Sequence, residues 1–142
     1  MPSLKIVVKA PSVEDNAYLE NSINRFNMDL TGIPFGGHVS VLVYDEHDQR
    51  IGGVTGWQWG DSFTIEFLWL EQEWRGQDIG TEIMRLIEHQ AAERGCTQIY
   101  LDTYSFQAVD FYQKLGYEAF GTLENFPTPY RRYFLRKRLP SH

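Results

Sequence analysis

The chain has 142 residues, of which 42% are hydrophobic, 15% aromatic and 23% charged, with a formal net charge of −6. This length predicts a single domain over 1–142 with a packed core, and the acidic balance disfavours binding to nucleic acid while suiting either a cationic substrate or plain solubility. The one cysteine leaves no internal disulfide, and no apolar run approaches the about 20 residues of a spanning helix, so we expect a cytoplasmic protein without a membrane segment.

The first half of the chain predicts one helix and four strands. Residues 4–9 predict a strand because Ile6, Val7 and Val8 are β-branched. Ser12 is a typical N-cap for a helix that fades before Gly32. Three further strands are predicted over 39–44, 51–59 and 63–70. Their short connecting turns favour antiparallel pairing.

In the second half of the chain, the spacing of the apolar residues changes from strand alternation to helical spacing over two segments. It predicts a helix over 79–91, a strand over 98–103, a helix that follows Ser105 and holds Val109, Tyr112 and Leu115, and strands over 117–123 and 130–139. Gly95 and Gly116 are expected to end the two helices, and Ser105 to cap the second one. The alternation of strands and helices predicts an α/β fold with one mixed sheet and helices on its faces.

The segment between the strand over 63–70 and the helix over 79–91 is the most informative. A loop that enters a helix directs backbone N–H groups and the positive end of the helix dipole at one point, which favours an anion such as a diphosphate. Gly76 and Gly80 permit a close approach to the backbone, and Arg75 adds a positive charge. Taken alone, this loop could equally be an ordinary tight turn.

Three segments in the same order give a more specific signal. They are Arg-Gly-Gln-Asp-Ile-Gly at 75–80, the stretch Gly-Cys-Thr-Gln-Ile-Tyr-Leu-Asp-Thr at 95–103 that contains the next strand, and Ala-Val-Asp-Phe-Tyr-Gln-Lys-Leu-Gly-Tyr at 108–117. Together they resemble the GNAT superfamily of acyl-CoA-dependent N-acetyltransferases. The resemblance implies a mixed, mostly antiparallel sheet of about seven strands flanked by helices in a single domain. It also implies direct transfer of an acetyl group from acetyl-CoA to an amine, in a ternary complex.

The resemblance assigns the donor site residue by residue. It implies that acetyl-CoA contacts Leu68, Trp69, Leu70, Arg75, Gly76, Gln77, Asp78, Ile79, Gly80, Thr81, Ser105 and Tyr112. Asp78 departs from the motif, because it stands where the family has its first glycine. Aspartate tolerates positive φ better than most residues, so we expect the turn to survive with the carboxylate directed away from the phosphates. Ser105 stands where many members have a cofactor-contacting asparagine, although a simple N-cap explains it as well.

Two residues are candidates for the proton transfers. The resemblance makes Tyr112 the acid that stabilises the leaving thiolate, although its helical position would also suit an ordinary core tyrosine. Glu66 is the candidate base, because a carboxylate inside the apolar run 65–70 is costly to bury and burial would raise its pKa. By alternation it shares a face with Leu68 and Leu70 unless a bulge intervenes. Asp102, Tyr104 and His38 remain alternative bases, and an exposed or ion-paired Glu66 is the competing reading.

Aromatic residues near the expected acceptor side could line a substrate pocket. They are Trp57, Trp59, Phe63, Trp69, Tyr104, Phe106, Phe126 and Tyr130, and with nearby carboxylates they would suit an organic cation or a hydrophobic amine. Core packing is the alternative for each one singly. The four histidines have no metal-ligand spacing, so we expect no metal site. The expected partner is a small-molecule or peptide amine, and a homodimer could form through the sheet edges.

Two other classes of function remain open at this point. The chain could be a non-catalytic sensor that binds acyl-CoA without turnover, a reading that Asp78 favours. It could also be a structural or dimerisation domain, which would gain no stability from acetyl-CoA.

Overall fold

The computed structural model describes residues 3–140, which divide into two compact units, with the boundary along the chain between Phe35 and Gly36. The first unit contains helix α1 (Val13–Thr31). The Ser12 side chain accepts from the backbone of Asp15, whose carboxylate accepts from the Ser12 backbone in return. Because the two bonds satisfy donors that a helix start leaves open, they fix its first residue, as predicted.

The strand predicted over residues 4–9 is wrong. In the structure this segment has no regular secondary structure. β-branched residues favour an extended backbone, but a strand also needs a neighbour that accepts its backbone hydrogen bonds, and none of the described strands pairs with this segment. The sheet therefore has six strands instead of the expected seven.

The second unit is built on a mixed six-stranded sheet. Its strands are β1 (Phe35–Tyr44), β2 (Arg50–Trp59), β3 (Ser62–Leu70), β4 (Gln98–Tyr104), β5 (Glu118–Leu123) and β6 (Arg132–Arg138). Their spatial order is β1-β2-β3-β4-β6-β5. The pairs β2/β3, β4/β6 and β5/β6 are antiparallel, whereas β3 and β4 are parallel. The predicted α/β class is confirmed.

Helix α2 (Ile79–Glu93) packs its apolar side on this sheet. Ile83 and Ile87 lie in one buried cluster with Val54 of β2, Phe63 of β3 and Ile99 of β4. All five side chains are at most 2% exposed, so this cluster is the centre of the core. The apolar side of the helix and the apolar face of the strands, both predicted from the sequence, thus pack against each other.

Helix α3 (Val109–Lys114) is shorter than predicted, and its N-cap is Ala108 instead of Ser105. The Ser105 hydroxyl accepts a hydrogen bond from the backbone of Arg131 at 3.1 Å, so it ties the loop before α3 to the start of β6. The side-chain oxygen of Gln107 accepts from the Tyr104 backbone at 2.9 Å. These bonds shape a loop of several residues where the sequence predicted an immediate helix start.

A bulge interrupts β3 at Glu66. Thr55 of β2 pairs with Phe67 and the next residue, Gly56, pairs with Ile65, so Glu66 is the extra residue on β3. A Cβ on Gly56 would collide with the Thr64 carbonyl oxygen, which shows how closely the two backbones approach beside the bulge. The extra residue shifts the alternation of side chains by one position, so the face of β3 that holds odd-numbered side chains before the bulge holds even-numbered ones after it.

Candidate active site

Strands β3 and β4 separate along their length. Their parallel register begins at Ser62 and Gln98 and ends at Thr64 and Tyr100. Beyond that point β3 still pairs with β2 as far as Leu70, but the edge of β3 that faces β4 has no strand partner among the described residues. The sheet therefore contains a cleft, lined on one side by free backbone groups of β3. Such an edge can pair with an extended ligand that carries amide groups.

The loop that enters α2 lies just beyond the end of β3 in the chain. Gly76 has φ 79° and Asp78 has φ 64°, so the predicted left-handed conformation of Asp78 is confirmed. A Cβ on Gly76 would meet no atom within 4 Å, which leaves open space beside the backbone there. Within residues 3–140, no backbone N–H from Gly76 to Thr81 donates to a protein acceptor. Several donors and the helix dipole are therefore available to an anion.

Arg75 is held at the mouth of this loop by two contacts. Its Nε donates to the Leu70 carbonyl oxygen at 2.8 Å, and its guanidinium lies 4.8 Å from the ring centroid of Trp69. The Trp69 indole N–H donates in turn to Glu71 at 3.2 Å. The positive charge is thus placed where the open edge of β3 meets the loop. Asp78 is exposed and makes no side-chain cap on α2.

A close contact joins the loop to α3. A Cβ on Gly80, in the first turn of α2, would lie 3.3 Å from Cζ of Phe111, a contact that allows only a small side chain. Phe111 precedes Tyr112, and the two rings meet edge to face with centroids 5.3 Å apart. The glycine therefore lets α3 approach the start of α2, which brings Tyr112 near the loop.

Tyr112 and Tyr117 are buried neighbours with different hydroxyl environments. Their ring centroids are 5.9 Å apart, and they are 7% and 2% exposed. The Tyr117 hydroxyl donates to Glu88 at 2.9 Å, whereas within residues 3–140 the Tyr112 hydroxyl has no hydrogen-bond partner. Burial raises the pKa of Tyr112 to about 12. Because no buried side-chain N or O atom of the described residues lacks a partner, the Tyr112 hydroxyl must reach the protein surface, where a ligand can contact it.

Glu66 does not have the environment that the sequence predicted. It is exposed, so the burial that motivated its assignment as a base is absent. The bulge also removes it from the face of Leu68 and Leu70, because Leu68 packs against the core together with Ile65. Glu66 nevertheless lies on the part of β3 that borders the cleft.

The alternative bases are in different settings. Asp102 accepts from Arg132 Nη2 at 2.9 Å and from the Tyr100 hydroxyl at 3.2 Å, so its charge is already compensated. Burial and the nearby Asp102 charge raise the pKa of Tyr100. His38 lies exposed on β1. Tyr104 is half-buried at the end of β4.

Comparison with known proteins decides the family. The sequence profile described as the acetyltransferase (GNAT) domain matches residues 37–119. The chain belongs to the GNAT acetyltransferase family. An acetyltransferase from Bacillus cereus ATCC 14579 has a crystal structure with a TM-score of 0.80 and 33% sequence identity, covering 94% of this chain and 98% of that one. The resemblance inferred from the loop and from α3 is thereby confirmed.

Two further similarities are to acetyltransferases whose names state a substrate. The blasticidin-S acetyltransferase of Streptomyces morookaense is 31% identical over 98 residues, which are 66% of this chain and 70% of that protein. A crystal structure of an aminoglycoside 6'-N-acetyltransferase complexed with coenzyme A has a TM-score of 0.66 at 20% identity, covering 92% of this chain and 83% of that one. The latter likeness concerns the fold.

Some features of this GNAT chain were not predicted from its sequence. Arg132 pairs with Asp102, thirty positions away in the chain, and Lys137 pairs with Glu88 at 2.8 Å. The sequence carries one signal for these pairs, the alternation of basic residues with apolar ones along the last strand, which is also typical of an exposed polar strand edge. Within the described part of the chain, no cluster of His, Cys, Asp and Glu is arranged to hold a metal ion, and no helix is both long and apolar enough to cross a membrane.

Proposed function

We propose that this GNAT protein transfers an acetyl group from acetyl-CoA to a primary amine, by direct attack in a ternary complex. The proposal is carried by the cleft between β3 and β4. An open strand edge leads to a loop of unpaired backbone donors, and a buried tyrosine without a protein partner comes from α3. The acceptor is a small molecule or an amino group of a peptide.

The donor would lie along the open edge of β3. Its pantetheine amides match the backbone groups of Leu68, Trp69 and Leu70 in chemical type. Its pyrophosphate matches the backbone donors of residues 76–81 and the charge of Arg75. A fit is supported by the open space beside Gly76 and by the exposed position of Asp78, which leaves its carboxylate free to turn to water. Ser105 is less favoured as a donor contact, because it already bonds the Arg131 backbone.

The reaction needs one bond to form and one to break. The neutral amine nitrogen attacks the acetyl carbonyl carbon, the C–S bond breaks, and its electron pair leaves with sulfur. The nitrogen then loses one proton, and the thiolate gains one. A backbone N–H at the β3 bulge would polarise the carbonyl oxygen while negative charge develops there.

Tyr112 would stabilise the leaving thiolate. Its pKa of about 12 keeps the phenol protonated throughout the neutral range. A thiol has an ordinary pKa of about 8.5, so complete proton transfer from this phenol is uphill by roughly 3.5 pKa units. The main contribution of Tyr112 is therefore a hydrogen bond to sulfur, with the proton finally replaced from water.

Glu66 would accept the proton from the amine through water. An alkylammonium has a pKa of about 10, so an acceptor must remove its proton near neutral pH. Exposure of Glu66 gives water access, and its place at the bulge borders the cleft. The name of the blasticidin-S acetyltransferase relative supports a small-molecule acceptor over a protein one.

Acetyl-CoA binding and turnover can be tested separately. At 100-fold excess over its dissociation constant, acetyl-CoA should stabilise the protein by about 2.7 kcal/mol in thermal unfolding. Release of free thiol with a panel of primary amines then measures turnover, and mass spectrometry identifies the acetylated product. Stabilisation without turnover on any amine would favour an acyl-CoA sensor. Absence of stabilisation would refute the donor site.

A further inference from the structure

Four aromatic side chains gather at the end of β4. They are Tyr104, Phe106, Phe126 and Tyr130, which we call the aromatic cluster. Tyr104 and Phe106 are stacked, with ring centroids 5.3 Å apart and an interplanar angle of 11°. Phe106 also meets Tyr130 edge to face at 4.8 Å. Because β4 diverges from β3 after Tyr100, Tyr104 lies on the part of β4 that borders the cleft. The other three rings come from the loop after β4 and from the segment before β6, which pairs with the opposite edge of β4.

The cluster is exposed although its backbone is fixed. Phe106, Phe126 and Tyr130 are 58%, 44% and 43% exposed. The Phe126 backbone N–H donates to the Tyr130 carbonyl at 2.9 Å, and the Ser105 N–H donates to the Arg131 carbonyl at 2.9 Å. Apolar rings on a hydrogen-bonded loop leave area uncovered, which is typical of a binding surface.

The cluster already contains a cation. The guanidinium of Arg132 lies 5.6 Å from the ring centroid of Tyr104 and 5.7 Å from that of Phe126. Asp102 holds this guanidinium by bonds of 2.9 and 3.0 Å. A second cation over these rings would meet the charge of Arg132, and Asp102 has no free charge to attract it. The cluster therefore disfavours the organic cation that the sequence suggested and leaves neutral ring surface for a ligand.

We propose that the acceptor amine carries a neutral planar ring, aromatic or heteroaromatic, which binds against the aromatic cluster while its amino group reaches the cleft on a short arm. This inference rests on the proposed function, since it names the acceptor class of the same site. An aromatic ring gains offset and edge-to-face contacts with Phe106 and Tyr130 that a saturated ring of equal size does not gain. Phe106 is the residue that determines the specificity, because it contacts two other rings and stays the most exposed of the cluster.

The test compares two amines and two substitutions. 2-Phenylethylamine and 2-cyclohexylethylamine share a two-carbon arm and differ in the aromaticity of the ring. We expect the wild-type kcat/KM to be roughly 3- to 10-fold higher for the aromatic amine. Phe106→Leu should abolish this preference through a higher KM for the aromatic amine, with the KM for acetyl-CoA unchanged. Phe120→Leu is the matched control, because Phe120 is 60% exposed and lies on β5; it should keep the preference.

Three outcomes would overturn the inference while leaving acetyl transfer intact. The first is an equal wild-type kcat/KM for the two amines. The second is an equal effect of Phe106→Leu on the kcat/KM of both amines. The third is that Phe67→Leu, and not Phe106→Leu, abolishes the preference for the aromatic amine, which would place the ring on the β3 side of the cleft. If the wild type turns over neither amine, the proposed function is in question, and calorimetry decides the inference. Binding of 2-phenylethylamine to the acetyl-CoA-saturated protein that is lost in Phe106→Leu supports it, and absence of binding overturns it.

Discussion

Replacing Tyr112 with phenylalanine tests the catalytic assignment most directly, and Tyr117→Phe provides its matched control. Both substitutions remove one hydroxyl from a buried ring, and the rings touch each other with centroids 5.9 Å apart. The Tyr117 hydroxyl bonds Glu88 at 2.9 Å, whereas no described residue bonds the hydroxyl of Tyr112. The two variants should therefore separate stability from turnover.

The free energies of unfolding follow from these environments. Tyr117→Phe removes a hydrogen bond to the charged group of Glu88, which should cost about 1.5–3 kcal/mol at pH 7. Tyr112→Phe removes no protein hydrogen bond and keeps the contact with Phe111, so the free energy of unfolding at pH 7 should change by less than about 0.5 kcal/mol. A structural role for the Tyr112 hydroxyl would require a larger loss.

Alkaline pH adds a second readout. The pKa of Tyr112 is about 12 in the folded protein and about 10 when unfolded. Between these values the folded state binds more protons than the unfolded state, so the free energy of unfolding falls as pH rises. The contribution of Tyr112 to the free energy of unfolding is present in full below pH 10, and about 2 kcal/mol of that contribution is lost between pH 10 and pH 12. This part of the pH dependence should be missing in Tyr112→Phe.

Turnover should respond in the opposite order. Loss of the hydrogen bond to the leaving thiolate should lower kcat by roughly 10- to 100-fold, the low end for acid catalysis, because the thiolate is a fair leaving group unaided. Tyr117→Phe should keep kcat within about 3-fold of wild type. Thiol release measures kcat, and calorimetry measures the Kd for acetyl-CoA, which neither substitution should change. An unchanged kcat in Tyr112→Phe would refute the assignment.

Three further tests concern the loop, the base and the partly buried ion pair between Lys137 and Glu88. Gly76 and Gly95 both have positive φ and open space beside the backbone, so replacing either with alanine introduces a similar strain of about 1 kcal/mol. Only Gly76→Ala should weaken acetyl-CoA binding, by about 10-fold. Equal Kd values for the two variants would contradict the proposed binding of the pyrophosphate by residues 76–81. Glu66→Gln removes the proposed proton acceptor and should lower kcat/KM for the amine, and an unchanged kcat/KM would assign the base elsewhere. Lys137→Met leaves the largely buried Glu88 without its cation, which should lower the free energy of unfolding by about 1–3 kcal/mol, as measured with denaturant. Adding Glu88→Gln to this variant should recover part of that loss. If the losses of the two single substitutions simply add in the double variant, the two side chains are not coupled.

Features set by near neighbours in the chain could be predicted from the sequence. The ends of α1 follow from Ser12, Asp15 and Gly32, and the glycine-bearing turn before α2 follows from its place between a strand and an amphipathic helix. The helix that carries Tyr112 was likewise predicted from the spacing of its apolar residues. Each of these depends on backbone preferences and side-chain bonds that act within a few residues.

Features that depend on distant partners required the tertiary structure. Residues 4–9 have strand propensity but no pairing strand, and the bulge that moves Glu66 out of the core depends on the register between β2 and β3. The neutral character of the aromatic cluster depends on Arg132 meeting Asp102 across two paired strands. Propensity and periodicity describe one segment at a time, whereas burial, register and charge compensation are properties of segments in contact, so the fold alone decided them.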